Sequence, residues 1–225
     1  MTYTHDLQRK YIELAETRLQ QLKANTGPAE MRGRPYYYVL MAPLAPVTGI
    51  DFAEPELYQQ LLNVGPPNKS SFSPWMTFEG LLLSPARVGS AAYSYRLCGT
   101  DGVIEACIAK DLAPPSTEGV LAIEIERVES DLVELVEDNQ RVLKAMSVPP
   151  PYVVIAALSG IKDWRLARRG LGEYRLKEEI LPLRYEDYVF PPLVLAEQID
   201  KTTSALSPIL TRLWHTAGYR SRPTR

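Results

Sequence analysis

The amino-acid sequence predicts an α+β domain: a mostly antiparallel central sheet of about five to six strands with flanking helices, preceded by an amphipathic N-terminal helix. Three observations predict it. Gly99-Thr100-Asp101-Gly102 separates two strand-length segments, a hairpin signal that joins antiparallel neighbours. Helix-period stripes fall between groups of strands rather than after each single strand. Tyr152 to Leu158 is apolar over the length of a strand, the pattern of a strand covered on both faces.

The first helix covers 5–24. Leu7, Tyr11, Leu14, Ala15, Leu19 and Leu22 recur at helical spacing, with Arg9, Lys10, Glu13, Glu16 and Lys23 between them, and Asn25-Thr26-Gly27-Pro28 stops the run. Such a stripe packs either on the chain's own sheet or on a second subunit. Residues 1–27 are therefore set apart as a helix and linker before a single domain over 28–225. Leu7, Tyr11, Leu14 and Leu22 are candidate protein-interaction residues. Tyr36 to Ala42, between Pro35 and Pro43, is the first strand. Its three tyrosines point to alternate faces and cannot form one base-stacking platform, so core packing with one hydroxyl reaching solvent is expected.

Asp51 to Val64 contains a short helix with Pro55 near its first turn, closed by Gly65-Pro66-Pro67-Asn68. Lys69 to Trp75 reads as a polar loop bearing Phe72 and Trp75, either a functional loop or a lid over a core edge. Phe78 to Leu83, Ala91 to Cys98 and Val103 to Ala109 are strands. With Thr100-Asp101 as a two-residue turn, Cys98 opposes Val103 and Cys107 opposes Ser94, so the two cysteines are not cross-strand partners. A stripe of Leu121, Ile125, Val128, Leu132, Leu135, Val136, Val142, Leu143 and Met146 predicts a long helix over 121–146. The alternation of Leu121, Ile123 and Ile125 leaves a short strand open at its start. Pro149-Pro150-Pro151 ends it. Tyr152 to Leu158 follows as a central strand, then a turn or bulge at Ser159-Gly160 and a more polar strand over Ile161 to Leu166. A Gly-rich loop from Arg168 to Gly172 precedes a strand over Ile180 to Val189. The last helix spans Ser204 to Ala217, with Pro208 near its start and Gly218 at the capping position.

Composition narrows the chemistry. Over 225 residues, 45% are hydrophobic and 23% charged, ordinary globular values, and the net charge of −2 creates no field that gathers polyanions. No apolar run reaches a membrane span and the first residues lack a signal-peptide layout, so a cytoplasmic protein is expected. Two cysteines and two histidines exclude a Cys/His zinc cage and a disulfide scaffold; no metal site and no cofactor are expected. Cys98 and Cys107 have only His5 and His215 as conceivable bases, both near the chain ends. No Gly-x-Ser-x-Gly elbow occurs, and Gly170-Leu171-Gly172 lacks the Lys-Ser/Thr of a phosphate loop. No catalytic residue is assigned.

Charge is distributed unevenly. Segment 101–140 carries eleven acids against Lys110 and Arg127, which reads as a solvated helix face or a docking face for a basic partner, with Glu126, Glu134, Glu137 and Asp138 as interaction candidates. Residues 160–225 hold twelve Lys and Arg against eight acids. Basic groups contact phosphates and aromatics stack on bases, so Lys162, Trp164, Arg165, Arg168, Arg169, Arg175, Lys177, Arg212, Arg220 and Arg222 are candidate nucleic-acid contacts.

Several strings carry a resemblance: Pro149-Pro150-Pro151-Tyr152-Val153-Val154-Ile155 running into Leu158-Ser159-Gly160-Ile161-Lys162-Asp163-Trp164-Arg165-Leu166, then Ile180-Leu181-Pro182, and Leu213-Trp214-His215-Thr216-Ala217-Gly218-Tyr219. With the leading helix and the Tyr38 to Pro43 strand, they resemble the C-terminal region of bacterial proteins that carry an N-terminal AlbA-type (Schlafen-like) DNA-binding domain. The resemblance covers nearly the whole chain. It implies that nucleic-acid binding belongs to the AlbA-type domain, which has no counterpart in these residues, and it supplies no catalytic residue. It implies a sensing or interaction module of a regulatory or antiphage assembly. The expected function is thus a non-catalytic adaptor working through protein–protein contacts. Its partner would be another subunit (a nuclease, a helicase or an AlbA-type protein) or a second copy of the chain. A nucleic-acid-binding subunit using the basic C-terminal third is the alternative.

Overall fold

The computed structural model describes residues 2–33, 35–67, 71–85, 91–109, 121–168, 180–199 and 201–223. Over these the chain runs α1 (Thr2–Lys23), β1 (Tyr36–Pro43), α2 (Pro55–Val64), β2 (Ser73–Met76), β3 (Gly80–Ser84), β4 (Ser94–Gly99), β5 (Ile104–Ala109), β6 (Ala122–Glu124), α3 (Ile125–Ala145), β7 (Tyr152–Ser159), β8 (Arg165–Ala167), β9 (Asp187–Val189), β10 (Leu193–Leu195), α4 (Thr202–Ala205) and α5 (Ser207–Thr216). The main sheet has the order β10-β7-β1-β5-β4-β3-β2, with β9 also on β7, and every pair in it is antiparallel. β6 and β8 form a separate parallel pair. The class is the predicted α+β, with a wider sheet than the five to six strands expected.

Strand periodicity divides the core in two. Tyr37, Val39, Met41, Ile104, Ala106, Val154 and Ala156 join α2, α3 and α5 on one face, while Tyr36, Tyr38, Leu40, Cys107, Val153 and Ile155 join α1 on the other. Helices on both faces explain why β1 and β7 are apolar throughout. They also give the α1 stripe its place: Tyr11, Ala15, Leu19 and Leu22 are buried against the sheet. All three tyrosines of β1 are buried, as core packing predicts; the Tyr38 hydroxyl is spent on Glu105 and the Tyr37 hydroxyl is enclosed.

Other differences have local causes. The β4–β5 register pairs Cys98 with Ile104, Tyr95 with Cys107 and Ser94 with Ile108, one residue away from the expected pairing. The loop has three residues, not two. Gly99 N–H bonds the Val103 carbonyl at 2.7 Å and Gly102 takes φ +80°, closing a type I turn with a left-handed residue after it. The cysteines still do not pair, and they face opposite cores. Ser73 to Trp75, expected in a loop, form with Met76 a strand on β3. The short strand left open at residue 121 exists as β6, immediately before α3. Ile161 to Leu166 turns at Asp163 (φ +67°) and only Arg165–Ala167 pairs. The expected Ile180 to Val189 strand shrinks to β9. β9 and β10 then share one edge of β7, interrupted at Pro191-Pro192, which have no N–H for the ladder.

α5 ends as predicted. Gly218 is left-handed at φ +84°, its N–H bonds the His215 carbonyl at 2.9 Å, Tyr219 N–H bonds the Trp214 carbonyl at 3.0 Å, and the Trp214 and Tyr219 rings meet edge to face at 5.2 Å. The Gly-rich segment from Arg169 to Glu179 lies outside the described residues. None of the described helices is long and apolar enough to cross a membrane.

Candidate functional site

The most deliberately built surface feature is the turn between β2 and β3. Gly80 has φ +149°, and a Cβ there would lie 1.9 Å from the Cys98 carbonyl oxygen, so only glycine lets the chain pass this close to β4. Thr77 ties the turn three times: its N–H bonds the Gly80 carbonyl at 2.8 Å, its hydroxyl donates to the same carbonyl at 2.9 Å, and that hydroxyl accepts from Gly80 N–H at 3.2 Å. Thr100 N–H bonds the Glu79 carbonyl at 3.1 Å, and the Glu79 carboxylate pairs with Arg18 of α1. On this braced turn Phe78 is fully exposed. Trp75 and Met76, also exposed, stand on opposite faces of β2 beside it. Among the described residues β2 is the outer strand at this end of the sheet. Pro74 occupies a non-bonded position opposite Leu83, so the outer edge presents an imide nitrogen without hydrogen, which discourages strand addition.

Behind the turn lies a cleft of about 370 Å³ between α1 and the β4–β5 loop. Its floor is a buried ion pair. Arg18 Nε is 2.8 Å from Glu105 Oε1, Tyr38 donates to Glu105 Oε2 at 2.6 Å, and Arg18 Nη1 donates to Gln21 at 2.7 Å. Burial pushes the Glu105 carboxyl up, and Arg18 and Tyr38 counter that rise. Each guanidinium nitrogen of Arg18 is engaged, to Glu105, Gln21 and Glu79. The cluster therefore clamps α1 to the sheet and to the Phe78 turn rather than leaving a group poised for reaction.

The predicted interaction residues disperse. Tyr11 and Leu22 are buried under α1, and Leu7 and Leu14 are half-buried against the same core, so this stripe is spent within the chain. On α3, Glu134 is exposed and Glu126 and Glu137 are half-buried. Asp138 is buried, pairing with Arg96 at 3.1 Å and Arg141 at 2.6 Å, and is no part of a solvated face.

The basic set disperses too. Lys162 and Arg220 are exposed; Trp164 packs half-buried on the core. Arg165 Nε bonds the Ile180 carbonyl at 2.9 Å. Arg222 grips buried Glu129 through Nε at 3.1 Å and Nη2 at 2.7 Å, so both side chains are tied into the fold. Arg168 is 3.7 Å from Glu126, and Arg212 donates to the Tyr188 hydroxyl at 2.9 Å. Arg169, Arg175 and Lys177 lie outside the described residues. Sequence reading missed Phe78 by assigning it to a strand; polar Thr77 and Glu79 around it, ending in Gly80, were the available turn signal.

Nucleophilic chemistry finds no support in the thiols. Burial pushes Cys98 up to about 12 and raises Cys107 well above its ordinary value, so neither forms thiolate near neutrality. Both are expected to stay unmodified by a thiol reagent in the native protein and to react fully once guanidinium unfolds it. Rapid native labelling, read by mass, would contradict this burial. Among the described residues no three His, Cys, Asp or Glu side chains converge to hold a metal. Comparison with family models, with curated proteins and with solved structures returned no match.

Proposed function

We propose that this chain is a non-catalytic adaptor that docks a protein partner on the β2–β3 turn, with Phe78 as the anchor and Trp75 and Met76 flanking it. The observation that carries the reading is the braced turn. A large apolar side chain left fully in water contributes no burial to the fold, and here the backbone beneath it is fixed by Thr77, Gly80, Thr100 and the Arg18–Glu79 pair. Rigid presentation lowers the ordering cost of binding, and aromatic anchors dominate interface energetics. The resemblance to AlbA-bearing bacterial proteins suggests a regulatory or antiphage assembly as the setting.

A photo-crosslinking amino acid at position 78, introduced in cells, is expected to yield a discrete adduct of defined mass. The same group at exposed Arg184 is expected to yield none. An adduct at twice the chain's mass would identify the partner as a second copy. Equal, diffuse labelling at both positions, or none at 78, would overturn the reading. The nucleic-acid alternative loses ground at Arg165, whose Nε is bound to the Ile180 carbonyl.

A further inference from the structure

We propose that the groove between α5 and the C-terminal tail binds a phosphate-type oxyanion. Thr203, Ser207, Thr211 and His215 recur every four residues, which lines them along one side of the nearly continuous α4–α5 segment. The Gly218 cap reverses the chain, so Arg220 and Arg222 return against this row and close a groove of about 560 Å³. That volume lies within the range of small-molecule sites.

The polarity of the lining selects the ligand. Four hydroxyls (Thr203, Ser207, Thr211 and Ser221), an imidazole and two guanidiniums can all donate hydrogen bonds, and no carboxylate lines the groove among the described residues. Glu129 is behind Arg222 and already compensated: it accepts two bonds from Arg222 and one from Trp214 Nε1 at 2.8 Å. That contact fixes Arg222 at the groove wall. Its Nη1 carries no bond to another described residue, and neither does the guanidinium of Arg220. Two guanidiniums, which only donate, beside hydroxyls that can turn their O–H toward an acceptor match the oxygens of a phosphate, and with no carboxylate lining it the wall favours an anion over a cation. The groove is on α5 and the tail, while the partner surface is on β2–β3, so this inference stands apart from the adaptor reading.

Calorimetric titration of the full chain with inorganic phosphate, a 5′-mononucleotide and a single-stranded oligonucleotide tests it. Saturable binding of at least one probe is expected. Arg220→Gln, at an exposed position, is expected to weaken it about tenfold or more, as the loss of a charge-assisted bond implies, and Thr211→Val is expected to weaken it as well. Arg9→Gln, exposed on α1 at the opposite face of the sheet from α5, is expected to bind like the wild type. Binding of phosphate or the mononucleotide identifies a free ligand; binding of the oligonucleotide alone, falling steeply with salt, identifies backbone phosphates. Absence of binding by all three probes, or affinities untouched by both groove substitutions, overturns the proposal.

Discussion

A chain lacking residues 1–27 is expected to lose its cooperative fold rather than to change oligomeric state. Tyr11, Leu19 and Leu22 are buried in the wild-type chain, and burying a large apolar side chain stabilises by about 1.5–3 kcal/mol. Together the three contribute about 5–9 kcal/mol, against a total stability of about 5–15 kcal/mol for an ordinary domain. The loss does not stop there. Without α1 the sheet face of Tyr36, Tyr38, Leu40, Val153 and Ile155 meets water, and Glu105 loses Arg18. Urea unfolding followed by circular dichroism, with size-exclusion chromatography, reads the outcome: aggregation or a featureless transition is expected. A truncated monomer with a sharp transition would sink the claim that α1 is structural. Leu19→Ala is the graded version, with an expected loss of about 2–5 kcal/mol, seen as a lower midpoint at unchanged slope.

The sequence disclosed the α1 stripe but not its destination, because periodicity reports that a face is buried and never against what. The same limit explains β2. Ser73-Pro74-Trp75-Met76 has a proline and no alternation that distinguishes a strand from a loop, and only pairing with the unbroken Leu81-Leu82-Leu83 run makes it one. The hairpin shows a different failure: Gly99 to Gly102 fits a two-residue or a three-residue loop, and one residue of loop length shifts every cross-strand partner. On α3 a signal was present and unread. The apolar stripe skips from Val136 to Val142, and Asn139 fills the missing step, just as Glu129 fills the step before Leu132. Polar residues at stripe positions announce buried partners, here Arg96 for Asn139 and Trp214 with Arg222 for Glu129. The candidate groove was half legible, since its four-residue spacing is in the sequence, whereas the return of Arg220 and Arg222 depends on the Gly218 reversal.

Arg96→Met is expected to destabilise the protein by about 3–5 kcal/mol, the cost of breaking a buried ion pair by removing one partner. Arg96 is fully buried in β4; its Nε donates to Asn139 Oδ1 at 3.1 Å, its Nη2 to Asp138 Oδ2 at 3.1 Å, and its Nη1 to the Gly65 carbonyl. One side chain thus joins β4, the middle of α3 and the end of α2. Burial disfavours the charged guanidinium, and Asp138 is the chief group that restores it. Methionine fills the volume but leaves the Gly65 and Asn139 oxygens without this donor and Asp138 facing Arg141 alone. Asp138→Leu combined with Arg96→Met is expected to recover part of the loss, because removing both charges ends the mismatch that either single change creates. A double-mutant cycle in urea measures this coupling directly. A cost below about 1 kcal/mol for Arg96→Met, typical of exposed pairs, would mean that water reaches the cluster and that α2, β4 and α3 are held by their apolar contacts alone.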